Sequence, residues 1–255
     1  MNKIIAIANH KSGVGKTTTA VNFAVSLALM EKKTLLIDCD PHAQATRYIG
    51  LDPKAMKYCL YHFYKKEAIF SEVVKNTEID LLDIIPASFQ LLKIDNHPHE
   101  FKLNEHSLRL RLNDVRNKYD YIIIDCPSSL RFLTISALSV SDDMIIPYYL
   151  PLCSFTGLAY FLGTVRYLKQ HLSIPLRITG ILLTMCNHIN EVDQYYPKHT
   201  TFPLQRFLLK TTIPPDVFIH DSFVKRKPVG LYDIGSKGSE KFLNLALEID
   251  TLFET

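Results

Sequence analysis

Short apolar runs rich in β-branched residues alternate with longer stretches of helical period, and nothing else in this chain limits its fold as tightly. The runs fall at residues 4–9, 34–38, 79–85, 121–125, 144–147, 178–184 and 209–213. Two of them, Thr34-Leu35-Leu36-Ile37-Asp38 and Tyr121-Ile122-Ile123-Ile124-Asp125, are apolar at successive positions up to a terminal carboxylate. A strand with no polar face has to be covered on both sides, which is the condition of a mainly parallel sheet between two helix layers. Residues 15–30 supply one such cover, with Val21, Phe23, Ala24, Leu27 and Ala28 at helical spacing. Residues 236–253 read as a closing helix with an N-cap near Ser236. The pattern predicts an α/β fold, a doubly wound, mainly parallel sheet flanked by helices. Neither a repeat of roughly 20–50 residues nor a Gly/Ser linker divides the chain, so one domain over residues 1–255 is expected.

The turn between the first strand and the first helix carries the chemistry. It reads Asn9-His10-Lys11-Ser12-Gly13-Val14-Gly15-Lys16-Thr17-Thr18-Thr19. Gly13 and Gly15 allow a tight turn with its N–H groups aimed inward, and the helix that follows adds the positive end of its dipole. Lys16 then reaches β- and γ-phosphates, and the Thr17 hydroxyl is suited to Mg2+. A strand before and a helix after are the context that a phosphate-binding loop requires. The common pattern G-x-x-x-x-G-K-[ST] is broken at one point, where His10 stands in place of the first glycine. Ligands of open α/β sheets bind at the carboxyl ends of the strands, and Asp38, Asp40 and Asp125 all lie there. Together with the loop they point to a nucleoside triphosphate and a divalent cation.

Composition limits the partners. The chain has 29 Lys and Arg against 26 Asp and Glu, a net charge of +3. That excludes an arginine-rich nucleic-acid arm and gives a nonspecific DNA surface only slight support. No run approaches the roughly 18 apolar residues of a membrane span. The short run after Met1-Asn2-Lys3 does not have the build of a secretory signal. Cys39, Cys59, Cys126, Cys153 and Cys186 are scattered, with no C-x-x-C pair. Reduced thiols and a cytoplasmic location are therefore expected.

The run Lys11-Ser12-Gly13-Val14-Gly15-Lys16-Thr17-Thr18 resembles the deviant Walker A motif, K-G-G-x-G-K-T-[TS], of the ParA/MinD family of ATPases. The resemblance extends over nearly the whole chain. Residues 35–46 are similar to L-L-I-D-x-D-P-Q-x-x-A-T and residues 125–130 to D-x-P-P-S-L, while Ile85-Pro86-Ala87 and Lys227-Pro228-Val229 match I-P-A and K-P-[IV]. It points to the compact, Soj-like branch, for which no helix-turn-helix extension is expected. The resemblance implies a slow, partner-stimulated ATP hydrolase that uses ATP and Mg2+. It implies that Lys11 crosses to the partner's phosphates in a nucleotide-sandwich homodimer and that Asp40 orients the attacking water. Asp38 and Asp125, with Thr17, would hold the Mg2+. The implied ATP-binding set is Lys11, Ser12, Gly13, Val14, Gly15, Lys16, Thr17, Thr18, Asn187 and Pro214, the last two at the adenine end. A role in chromosome or plasmid partitioning follows from the same resemblance, with a ParB-like centromere-binding partner and nonspecific DNA held in the ATP state.

Three departures bear on these expectations. Ser12 replaces a glycine where the signature lysine and the γ-phosphate meet. An added hydroxymethyl in a tight site is expected to cost about 1–3 kcal/mol, unless it hydrogen-bonds a phosphate oxygen. Residues 148–157 are less polar than their family counterpart. Pro215 and Phe218 stand where the family has DNA-associated arginines, which leaves Lys225, Arg226 and Lys227, with Lys198, Arg206 and Lys210, as the candidate DNA-binding face. The aromatic residues nearby, Tyr195, Tyr196, Phe202 and Phe207, are expected in core or interface. The lost arginines keep a second reading open, a positioning switch that acts on a protein cargo without DNA. A membrane-bound reading is disfavoured by the acidic end, where Glu240, Glu248, Asp250 and Glu254 stand against Lys241 alone. An Fe–S reductase is disfavoured because Cys126 has no second cysteine at a matching site.

Overall fold

Alternate residues of the strands enter different cores. In β1 (Lys3–Ile7), Ile4 and Ala6 join one apolar cluster while Ile5 and Ile7 join the other. The computed structural model describes residues 2–195 and 204–254; Tyr196, Lys198 and Phe202 lie outside the described residues. The remaining strands are β2 (Thr34–Asp38), β3 (Lys75–Asn76), β4 (Leu82–Ile85), β5 (Tyr121–Asp125), β6 (Asp143–Tyr148), β7 (Arg177–Thr184) and β8 (Leu208–Ile213). They form one eight-stranded sheet in the order β3-β4-β2-β5-β1-β6-β7-β8. Every neighbouring pair is parallel except β3 with β4. This is the doubly wound, mainly parallel sheet that the apolar runs predict. Helix α1 (Lys16–Leu29) and the closing helix Lys237–Glu254 cover one face through Phe23, Leu27, Phe242 and Ile249. Helices Phe132–Val140 and Phe155–His171 cover the other through Leu133, Leu138, Phe161 and Val165. Each such side chain, fully buried, stabilises the fold by about 1.5–3 kcal/mol.

Two strands differ from the expectation. The run at residues 79–85 becomes a strand only at Leu82. Before it, Leu82 N–H donates to the Ile79 carbonyl in a turn that puts Leu81 at φ +63° with its side chain exposed. The Thr77 hydroxyl donates to the Leu82 carbonyl (2.8 Å) and fixes that turn. β3 has two residues, too few to show any period.

The closing helix starts as expected, with Ser236 Oγ accepting the Ser239 N–H (3.2 Å). Its acidic residues point inward as well as outward. Glu248 accepts the Lys210 and Thr211 N–H groups of the edge strand β8 at 2.7 and 2.9 Å. Asp250 accepts the Tyr121 hydroxyl (2.5 Å) and pairs with Lys32 (2.9 Å). Among the described residues no helix is long and apolar enough to cross a membrane.

Register places the carboxylates. In the β2–β5 pair Asp38 faces Asp125, and in the β1–β5 pair Ile7, which leads into the loop, faces Asp125 too. Neighbouring strands lie about 4.8 Å apart, so two carboxylates stand side by side beneath the loop that follows β1.

Candidate functional site

The loop after β1 is held open by its glycines and tied down by side chains. Gly13 and Gly15 take φ values of +76° and +83°, which side chains other than hydrogen adopt with strain. Gly15 is the N-cap of α1, no side chain caps the helix, and its first turn has no acidic residue. Its N–H groups are left for an anion. Asn9 Nδ2 donates to the Pro147 carbonyl (2.8 Å) and Lys11 N–H to Asn9 Oδ1 (3.0 Å). The Thr184 hydroxyl donates to the Val14 carbonyl (3.0 Å), which fastens the loop to the end of β7. His10 stacks on Phe161 (centroids 5.5 Å apart), so its ring fills space against the helix Phe155–His171. Ser12 is exposed and is not among the positive-φ residues.

Lys16 is buried, and its Nζ donates to the Lys11 carbonyl and to Ser128 Oγ, both at 2.9 Å. Burial lowers its pKa, and Asp125 is the strongest influence in the other direction. Asp38 and Asp125 are both fully buried but differ in their partners. Asp38 Oδ2 accepts the Thr46 N–H (2.8 Å) and hydroxyl (2.7 Å), and Oδ1 accepts the Asp40 N–H (3.1 Å). Burial pushes the Asp38 carboxyl up to about 7 against the pull of Thr46. Neither oxygen of Asp125 meets a donor of good geometry among the described residues. Burial, and then the Asp38 charge, hold its pKa well above the carboxylate range, while the adjoining Thr17 hydroxyl and Lys16 oppose them. Two orphaned buried oxygens next to a second carboxylate and a threonine hydroxyl are the donor set of a hard divalent cation, whose charge reverses this pKa logic. The Asp40 side chain is 16% exposed, with Oδ1 bound by the His42 N–H and by His42 Nδ1, each at 2.8 Å.

A cleft of about 650 Å³ runs from this loop to the far end of the sheet. Ser12, Gly13, Gly15, Lys16, Thr17, Thr18, Asp40 and Ser128 line its phosphate end. Thr184, Met185, Ile213, Pro214, Pro215 and Asp216 line the other end, with Ile219, His220, Phe223 and Phe242 behind them. Of the residues expected from the sequence, Val14, Asp38 and Asp125 are buried beneath the cleft, and Lys11 meets Lys16 through its carbonyl. Asn187 is not among the lining residues; it is exposed, and its N–H donates to Glu191 (2.8 Å). Met185, in left-handed conformation at φ +51°, takes the lining position instead. Lys225, Arg226 and Lys227 are exposed just after the helix Val217–Val224 and are not among the residues that line the cleft. Tyr195 and Phe207, expected in core or interface, are 47% and 37% exposed. Sequence reasoning missed Thr46, whose signal was its place at the end of the segment 35–46, and Ser128, whose signal was a serine in place of the second proline of D-x-P-P-S-L.

A phosphate loop opening a helix, with a buried lysine and two carboxylates at the strand ends, defines a P-loop nucleotide-binding protein. A family model described as an AAA domain matches residues 2–178. The chain is 39% identical to the sporulation initiation inhibitor protein Soj of Bacillus subtilis, over 98% of each chain. It is 34% identical to the chromosome partitioning protein ParA of Myxococcus xanthus, over 98% of this chain and 88% of the relative. Among solved structures it is similar to the septum site-determining protein MinD of Pyrococcus horikoshii in complex with Mg-ADP (TM-score 0.79, 26% identity, 99% and 97% coverage). The chain belongs to the ParA/MinD family of P-loop ATPases.

Proposed function

We propose that this chain is a partitioning ATPase, one domain over residues 1–255, that binds ATP and Mg2+, closes into a homodimer and holds DNA nonspecifically in that state. The observation that carries the reading is the convergence of the uncapped α1 N-terminus, the buried Lys16 and the buried Asp125 carboxyl at one end of the sheet. Lys16 and the loop N–H groups bind the β- and γ-phosphates. Thr17, Asp38 and Asp125 would hold Mg2+, which when bound neutralises charge on the phosphate oxygens. Thr46 and the Asp40 backbone keep the Asp38 carboxylate in place. Asp40 orients the attacking water, with His42 fixing one of its oxygens. Lys11 reaches the phosphates of the second copy and withdraws when they are gone. Pro214, with Met185 beside it and Asn187 at the rim, contacts the purine. Lys225, Arg226 and Lys227 contact DNA phosphates, and a ParB-like centromere-binding protein stimulates turnover. The location is cytoplasmic, at the nucleoid while ATP is bound.

The test is retention on DNA. The wild-type chain with ATP is expected to be retained at low salt and released as salt rises. Lys16→Ala and Lys225→Glu/Arg226→Glu are both expected to lose retention. Retention that is indifferent to ATP, or absent at low salt, overturns the DNA reading. One observation favours a protein cargo instead. The helix Val217–Val224 exposes Phe218 (40%) where an arginine would serve DNA, with Val217 (63%) and Val224 (61%) exposed on the same short helix. That reading is selected if the double glutamate variant keeps its cellular position.

A further inference from the structure

The phosphate end of the cleft carries a hydroxyl that the family pattern does not supply. Ser128 occupies the second proline position of D-x-P-P-S-L, three residues after Asp125. It lines the cleft together with Ser12, Lys16 and Asp40. Its Oγ accepts a hydrogen bond from Lys16 Nζ (2.9 Å). The hydroxyl carries one proton of its own, and no acceptor for it stands among the hydrogen bonds of the described residues. A hydroxyl that accepts from an ammonium group is polarised, and its own O–H becomes a stronger donor. The lysine of such a loop reaches between the β- and γ-phosphates. A hydroxyl one hydrogen bond from its nitrogen, at the end where Asp40 stands, therefore faces the terminal phosphoryl group.

We propose that Ser128 is a positioning and phosphate-sensing residue of this chain: it steadies Lys16 before nucleotide arrives and donates its O–H to the terminal phosphate of ATP. The inference rests on the nucleotide reading above and adds to it a preference for triphosphate over diphosphate. A proline at this position can do neither. Proline would leave Lys16 with the Lys11 carbonyl as its remaining partner.

The experiment is titration of the full-length protein, with Mg2+, by fluorescent ADP and by a fluorescent non-hydrolysable ATP analogue. Ser128→Ala and Ser128→Pro are expected to bind the triphosphate about 10–150-fold more weakly, the effect of one hydrogen bond to a charged group. Diphosphate binding should change less than about twofold by the same reasoning. Ser128→Thr, which keeps the hydroxyl, should bind both as the wild type does. Ser128→Cys, nearly isosteric but a weak partner, should behave as alanine does and guards against a folding defect in the other variants. Equal weakening of both nucleotides marks a structural serine and overturns the proposal. So does an alanine variant that binds as the wild type while Lys16→Ala does not bind. If Lys16→Ala also binds as the wild type, the nucleotide reading itself fails.

Discussion

His10 shows how one side chain ties the loop to a titration. Its ring lies on Phe161, and its Nδ1 is buried without a hydrogen-bond partner among the described residues. Burial, and then Lys11 and Lys16, lower its pKa from the usual 6.5. The unfolded chain then binds the proton more tightly than the folded one. The contribution of neutral His10 to stability is complete above pH ~6.5, the unfolded value, and is lost as the pH falls towards the lower folded value. Thermal melts of the wild type and of His10→Gln between pH 7.5 and 5.5 check this, since glutamine cannot charge. The wild type is expected to lose more melting temperature over that range than the variant. Parallel curves would mean that the ring titrates freely.

At the scale of elements, four segments meet at one buried phenol. The Tyr48 hydroxyl accepts from Asn22 Nδ2 (3.0 Å) and donates to Ser222 Oγ (2.7 Å), and Ser222 donates onward to the Ile219 carbonyl (2.8 Å). Asn22 also donates to the Thr18 carbonyl (2.8 Å) and accepts the Val229 N–H (2.9 Å). Each of these polar side chains is at most 1% exposed. The network joins α1, the short helix Gln44–Tyr48 after Asp40, the helix Val217–Val224 and the turn that holds Lys225–Lys227 in between. Tyr48→Phe leaves Asn22 and Ser222 short of a partner at a cost of about 1–3 kcal/mol. In a protein of this size that lowers the melting temperature by roughly 2–10 °C. Adding Ser222→Ala should cost less than the sum of the two single changes, because the pair shares one bond. Additive losses would show that the network is not coupled. None of this was legible in the sequence. The strands 34–38 and 121–125 were legible to the residue, because both faces of each are apolar. The strand after residue 79 was only half legible, because the Thr77 hydroxyl converts its first residues into a turn. The phosphate loop was legible because its chemistry is local. Ser128, Thr46 and Met185 were not, because each matters only through a neighbour brought close by the fold.

On the scale of the whole molecule, the net charge of +3 says less about partners than the places where charge is used. Glu248 and Asp250, which make the end of the chain look acidic, face the sheet edge, Tyr121 and Lys32. Glu248→Ala removes the acceptor of two edge N–H groups and is expected to cost about 1–2 kcal/mol. It should also raise light scattering with protein concentration, since an open edge strand pairs with other chains. Glu248→Gln, which keeps one acceptor oxygen, should lie between. Scattering unchanged in the alanine variant would show that β8 is blunted by something else. The opposite end of the sheet is the two-residue antiparallel β3, which offers almost no ladder to extend. A copy of this chain that meets another finds little free backbone ladder at either edge of the sheet, so whatever contact two copies make has to be carried by side chains.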